Sequence, residues 1–476
     1  MNEILHLLGH LILVTLLGYY LILNLQWYNY RFKRIILHHH RPFEHIFLFL
    51  LPLFSYFALK ELAILVAVIY ALILFVWLKG VDKRLKFTPR VKRFFLALIF
   101  FTLFGDLLCL AKFGCEVLPT LLPLILASLF SALIEGLIFK GYKKSASKKL
   151  SRIDPIIVAI TASYGKTSMK NFLHQILDTK FNCYMTPRSV NTLAGIVKDI
   201  NDSLPKECEV YIVEAGARER GDIAEITELL NHHYAVVGKI GPQHIEYFKN
   251  IENIMATKLE LLGSNRLKKA FLHYEIPVKK RENFIFFGDN IENLKADLNG
   301  IEFDLKVEGD TLPLKAPLLG AFNAINLAAA VAVAKELGME NDEIVKAVSK
   351  LKGVEHRLQK IEAGGKIIID DSFNGNLEGM LASYDLVKNY DGRKILVTPG
   401  IMESTPQDNM KLAEKIDEIF DLVIITSKTN RKVLYENIKR AKKIVLENKG
   451  DLENLLARET ASGDLILFSN DAPSFM

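Results

Sequence analysis

Before residue 140 the chain carries a series of long apolar stretches, at about 4–24, 44–59, 61–78, 93–112 and 117–139. A helix needs about 20 mainly apolar residues to cross a hydrocarbon core, where every backbone polar group must be satisfied within the segment. These stretches therefore read as membrane helices, the tightest limit the sequence sets on the fold. The second and third are short and joined by "LKEL", a tight hairpin or one broken pair. Basic residues gather at 31–41, 79–93 and 140–149, whereas the connections near 60 and 115 carry far less charge. The positive-inside bias makes the basic loops cytoplasmic. About five spans, with the N-terminus outside and residue 150 onward inside, satisfy every loop. A cleaved signal peptide accounts only for the first stretch and is rejected.

The 476 residues suffice for about two to four domains. The formal charge of +6 is mild, and its basic residues cluster beside the apolar stretches, which argues against a nucleic-acid partner. Cys109, Cys115, Cys183 and Cys208 lack paired metal spacing and secreted-domain density, so the soluble part belongs in a reduced, cytosolic compartment. His38, His39 and His40 read either as a metal site or, within an arginine-rich loop, as an interfacial patch. Asp106 and Glu135, in or near spans, read as a polar pathway or as helix-packing and interfacial groups.

From residue 153 the pattern changes. "PIIVAI", "EVYIVEAG", "YAVVGKIG", "KIIIDDS", "RKILVTPG" and "DLVIITS" are candidate buried strands, mostly separated by amphipathic segments. This alternation predicts α/β units with parallel sheets, whose ligands collect at the carboxyl ends of the strands. The first such end is "TASYGKTS" (161–168), a glycine-lysine-threonine turn leading into a helix. It departs from G-x-x-x-x-G-K-[ST] because Ile160 occupies the first glycine position. Amides at the helix start can still cradle phosphate, with Gly165 permitting close approach, Lys166 balancing charge and Thr167 facing Mg2+. The plainer possibility is an ordinary strand-to-helix turn.

Later strand ends are individually ambiguous. Glu214 suits a phosphate-bound cation or a cap. His244 follows another strand, and Lys258 lies fourteen residues further on a predicted helix; alone, each reads as structural or solvated. Asn323 and Asn326 share a helix face, able to read an adenine edge or to cap the helix. Arg357 precedes a strand that ends in Asp370 and Asp371, residue types suited to a phosphate and to a ribose hydroxyl or an amine.

In this order the stretches resemble the Mur ligase family of ATP-dependent amide-forming enzymes, over roughly residues 153–476. The loop T-A-S-Y-G-K-T-S is similar to that family's T-G-[ST]-x-G-K-T, with Ala162 in place of glycine. The resemblance implies that Ser163, Gly165, Lys166, Thr167 and Ser168 bind ATP, joined by Asn323, Asn326, Arg357 and Asp371. It implies that Thr167, Glu214, His244 and a carbamylated Lys258 hold magnesium, and that Lys166, Lys258 and Arg357 carry catalysis. Asn191, in "SVNTLAGI", matches an asparagine beside nucleotide and substrate, while Phe322 stands where histidine is common. "DDSFNGNLEGM" is most similar to D-S-Y-N-A-N-x-x-S-M of the D-alanyl-D-alanine-adding branch, with Phe373 and Gly379 replacing Tyr and Ser. "VTPGIMEST" stands where that branch has G-x-M-x-E-L-G.

The resemblance implies ATP and Mg2+ as cofactors and, as reaction, the addition of D-Ala-D-Ala to a UDP-muramoyl-tripeptide. The soluble domain that grips the UDP end in this family is replaced here by the apolar stretches. A lipid-linked or other membrane-associated carboxylate is therefore a competing acceptor. Outside ligase chemistry, the chain also reads as a non-catalytic scaffold for cell-wall enzymes or as a transporter driven by a nucleotidase. The expected organisation is a transmembrane helical domain (1–150), a central P-loop α/β domain (151–350) with a β-rich insertion at 265–319, and a Rossmann-like C-terminal α/β domain (351–476). The expected location is the inner membrane, multi-pass, with the ligase domains in the cytoplasm.

Overall fold

The structure is a computed structural model that describes residues 2–28, 30, 32, 35, 43–81, 84–113, 117–243, 245–373, 375–401 and 404–470. The chain forms two compact units, Met1–Gly141 and Tyr142–Met476. His38, His39, His40 and His244 lie outside the described residues.

Among the described residues of the first unit, four helices are long and apolar enough to cross a membrane: Ile4–Trp27, Lys60–Lys79, Pro89–Ala111 and Leu121–Ile153, the last continuing past residue 141. The apolar stretch at 44–59 forms a shorter helix, Phe43–Ala58, with a π-turn at Ile46–Leu50 and a proline at position 52. Of the about five expected spans, this one, already short in sequence, falls below the ~20 residues a crossing needs. Leu13, Leu17, Tyr20, Ala67, Tyr70, Phe94 and Leu98 pack in the interior. Gly9 lets the first helix touch the next long one, because a Cβ there would overlap the backbone of Ala63 and Ile64. Asp106 accepts from His10 at 3.0 Å, both buried, and Glu135 pairs with Arg93. These two acids thus join helices.

The second unit opens with a six-stranded sheet of β1 (Ile156–Thr161), β2 (Cys183–Met185), β3 (Val210–Glu214), β4 (Tyr234–Val237), β5 (Lys269–His273) and β6 (Phe284–Phe287). Their order is β2-β3-β1-β4-β5-β6, and every pair is parallel. β-Branched residues fill β1 because both faces of such a sheet are covered. The chain passes to one side of β1 for β2 and β3, then to the other for β4, so a crevice opens at β1's carboxyl end.

An antiparallel sheet follows, of β7 (Ile291–Asp297), β8 (Gly300–Val307) and β9 (Asp310–Ala316). Alternate residues such as Ile301, Phe303, Leu312 and Leu314 turn into a shared core with the helix Phe322–Glu336. That helix, rich in alanine, packs against the helix Lys166–Leu177. The insertion expected at 265–319 is therefore corrected. Its opening part, residues 269–287, carries β5 and β6 of the main sheet, and only 291–316 form the separate β layer.

A second six-stranded sheet comprises β10 (Gln359–Ala363), β11 (Lys366–Asp371), β12 (Lys394–Thr398), β13 (Leu422–Ile425), β14 (Lys442–Val445) and β15 (Leu465–Ser469). Its order is β10-β11-β15-β12-β13-β14, parallel except for the edge strand β10.

Candidate active site

β1 ends at Thr161, and Ala162, Ser163, Tyr164 and Gly165 turn the chain into the helix Lys166–Leu177. Gly165 has φ +79°, and a Cβ there would collide with the Asn326 side chain, so glycine is required twice over. The first amides of this helix lack intrahelical partners and face the crevice end, a natural cradle for an anion. Lys166 Nζ donates to the carbonyls of Ala162 (2.7 Å) and Ser163 (3.0 Å). Enclosure by protein lowers its pKa to about 8, opposed by Glu214 and reinforced by Arg357. Ser163 Oγ donates to Gly241 O at 2.9 Å and fixes the loop, while Ser168 is buried one turn on.

Glu214, at the end of β3 and 1% exposed, is the node of the site. Oε2 accepts from Thr167 Oγ1 at 2.9 Å and Oε1 from Asn191 Nδ2 at 2.9 Å. Lys170 Nζ lies 3.5 Å from the same carboxylate and also donates to the carbonyls of Thr186 (2.7 Å) and Arg188. Glu214 is thus committed to the site and caps no helix; the following helix, Asp222–Leu230, has Gly221 at its N-cap. A carboxylate with a hydroxyl at its side, below an anion cradle, suits a magnesium ion that accompanies a phosphate.

Lys258, on the helix Ile251–Leu259, is 3% exposed. Burial first, and then the Lys166 charge, push its pKa well below the ordinary lysine value, with Glu214 opposing. Burial thus favours the neutral amine, the form that reacts as a nucleophile, with carbon dioxide for example. Among the described residues no cluster of three or more histidine, cysteine or acidic side chains could hold a metal. Glu214 and Thr167 are the described oxygen donors, and a carboxylated Lys258 would add another.

Asn323 and Asn326 do not cap their helix, whose N-cap is Ala321. Asn323 donates to Leu319 O at 2.7 Å and accepts from Asn326 Nδ2 at 3.0 Å, which stations Asn326 against Gly165. From the C-terminal sheet come Arg357 and Asp371. Arg357 Nη1 donates to Phe373 O at 2.9 Å, and its guanidinium stands 4.5 Å over the Phe373 ring. Burial raises the Asp371 carboxyl to about 7, while Arg357 pulls it down. Arg357 in turn feels both Asp371 and Glu214, so the two lobes face each other electrostatically across the cleft. Lys239 and Glu378 bridge the lobes at 2.6 Å.

Lys170, Gln243 and His356 are residues of the candidate site that sequence reasoning does not single out. Lys170 carries the one available signal. It falls on the helix face of Met169, Phe172 and Leu173, where an unpaired lysine would be intolerable, so it must have a buried partner. Gln243 reaches Lys166 at 3.4 Å from a loop, and nothing local in the sequence marks that contact.

Comparison with known proteins fits this geometry. Residues 160–334 match the Mur ligase middle domain. Over 344 residues the chain is 25% identical to UDP-N-acetylmuramoyl-tripeptide--D-alanyl-D-alanine ligase of Bacillus subtilis, covering 68% of this chain and 74% of that protein. The Escherichia coli protein of the same name is 26% identical over 52% of this chain, which spans only 58% of that relative's length. Among solved structures, the MurF ligase of Thermotoga maritima in complex with ADP superimposes with a TM-score of 0.60 at 24% identity, covering 70% of this chain and 80% of that one. MurF from Acinetobacter baumannii gives 0.61 at 22%, over 69% and 77%. At these identities the structures speak for the fold.

Proposed function

We propose that this chain, whose residues 160–334 match the Mur ligase middle domain, is an ATP-dependent ligase that adds D-Ala-D-Ala to a UDP-muramoyl-tripeptide in peptidoglycan precursor synthesis. The observation that carries the reading is the convergence of Thr167 and Asn191 on Glu214, directly beneath the Gly165–Lys166 turn. The names of the Bacillus subtilis and Escherichia coli relatives support the choice of substrates.

The tripeptide carboxylate attacks the γ-phosphorus of ATP, ADP leaves, and an acyl phosphate forms. The neutral amine of D-Ala-D-Ala then attacks the acyl carbon, and phosphate leaves as the amide forms. Lys166 exchanges the carbonyls of Ala162 and Ser163 for phosphate oxygens, a cation exchanging neutral acceptors for anionic ones. Thr167, Glu214, His244 and carbamylated Lys258 would hold Mg2+, which spreads the phosphoryl charge. Ser163 and Ser168 shape the cradle, Asn323 sets Asn326 beside it, and Arg357 and Asp371 approach the nucleotide from the C-terminal lobe.

We further infer a transmembrane domain at 1–150, an ATP-binding domain at 151–350 and a C-terminal domain at 351–476, with the ligase part in the cytoplasm. The basic connections and the four long apolar helices support this arrangement. The apolar exterior of those helices also favours a second reading of the acceptor, a lipid-linked or other membrane-associated peptide carboxylate. The test is phosphate release by detergent-purified protein given ATP, Mg2+, D-Ala-D-Ala and UDP-muramoyl-tripeptide, with the product weighed by mass spectrometry. A pentapeptide product is expected. Nucleotide binding without product from this substrate, but with product from a lipid-linked peptide, selects the second reading; no product from either sinks both.

A further inference from the structure

Arg357 lies between two residues in left-handed backbone, His356 at φ +60° and Leu358 at φ +50°. Side-chain-bearing residues rarely adopt this conformation, and it persists only where the surroundings over-determine it. The surroundings here are named groups. His356 Nδ1 lies 2.7 Å from Asp370 Oδ2, and Asp370 is 1% exposed. The other oxygen of Asp370 accepts from the amide of Ser372 (3.1 Å) and from its hydroxyl (2.5 Å), so the carboxylate cannot swing. Leu358 is buried in the core of the C-terminal lobe, whereas Val354 packs against that of the central lobe. A tight turn closed by Arg357 N on Val354 O (3.1 Å) separates them. Within five residues the chain leaves one core and enters the other, with Arg357 at the crossing.

We propose that His356 is a positioning residue. By donating to Asp370 it clamps this crossing to the end of β11, so that Arg357 is carried by the C-terminal lobe and meets the terminal phosphate in one orientation. The inference rests on the nucleotide-site reading above. With the clamp released, the left-handed backbone at His356 loses that hold, and the arginine side chain is left to its Phe373 contacts and the pull of Asp371 and Glu214.

The experiment uses the full-length protein in detergent and compares binding of ADP with that of a non-hydrolysable ATP analogue, alongside steady-state phosphate release. His356→Ala is expected to weaken the analogue by about tenfold toward the affinity of ADP, to leave ADP unchanged, and to lower turnover. His356→Asn is expected to restore much of both, since asparagine tolerates positive φ and offers an N–H near the position of Nδ1. His356→Gly relieves the backbone without supplying the donor, and should behave like alanine. Equal losses for both nucleotides, no loss for either, or rescue by glycine as good as by asparagine overturns the clamp. Wild-type protein that binds neither nucleotide overturns instead the site reading on which it rests.

Discussion

The two units of this chain are built inside out relative to one another in chemistry. In residues 1–141 the outer surface is leucine and phenylalanine, Phe54, Leu72, Phe100, Leu107 and Leu133 among them, while His10, Asn24, Thr102 and Asp106 are hidden. In residues 142–476 the aliphatic side chains are inside, and the buried charges Lys170, Glu214, Lys258 and Asp370 gather around the cleft. The hidden polar groups are informative in both units. In the first unit Asn24 and Thr102 bond within their own helices, whereas His10 and Asp106 join two; in the second, Glu214 draws Thr167 and Asn191 together at the candidate site. The same residue type, a buried carboxylate, thus specifies packing in one region and chemistry in the other.

Substitutions can sharpen this contrast or break it. The largest effect belongs to Glu214→Ala, which should lower phosphate release by about a thousandfold while the folded protein stays in the detergent-extracted fraction. Lys258→Ala should approach the same loss and regain part of it with added short carboxylates; absence of any recovery argues against a carbamate but not against the ligase. In the first unit, Asp106→Ala strands His10 and should cost about 1–3 kcal/mol of stability in thermal unfolding, with turnover unchanged. Turnover falling in step with stability would erase the distinction between packing and site carboxylates.

The smallest effect is a pH dependence. Asp371 has a folded-state pKa of about 7, above its ordinary 3.8. Its contribution to stability is therefore full below the unfolded value and lost as pH rises through about 7. Relative to Asp371→Asn, the wild type should lose stability between about pH 4 and 7, read as a difference in melting curves. Parallel curves for the two proteins would mean that the carboxylate is not strained by its burial.

Much of the candidate site sits where the sequence points, because ligands of parallel sheets collect at strand ends, and strand ends show in sequence as apolar runs broken by polar turns. Ile156–Thr161, Val210–Glu214 and Lys366–Asp371 all announce themselves in this way. What failed to show is pairing. β15 is central to its sheet yet comes last in the chain, so no local signal places Leu465–Ser469 between β11 and β12. β5 and β6 passed for part of an insertion because the antiparallel strands β7–β9 follow them at once and share their β character. The stretches at 44–59 and 61–78 both read as short in sequence, and only the observed helices separate them: Phe43–Ala58, with its π-turn, stays short, whereas Lys60–Lys79 reaches 20 residues. The clamp between His356 and Asp370 spans fourteen residues and a change of lobe, which composition and periodicity do not encode.

Gly9 adds a matter of timing. It touches the backbone at Ala63 and Ile64, so the first helix cannot complete its packing until those residues exist. At a synthesis rate of about 5–20 residues per second, that contact waits roughly 3–11 s after Gly9 is made.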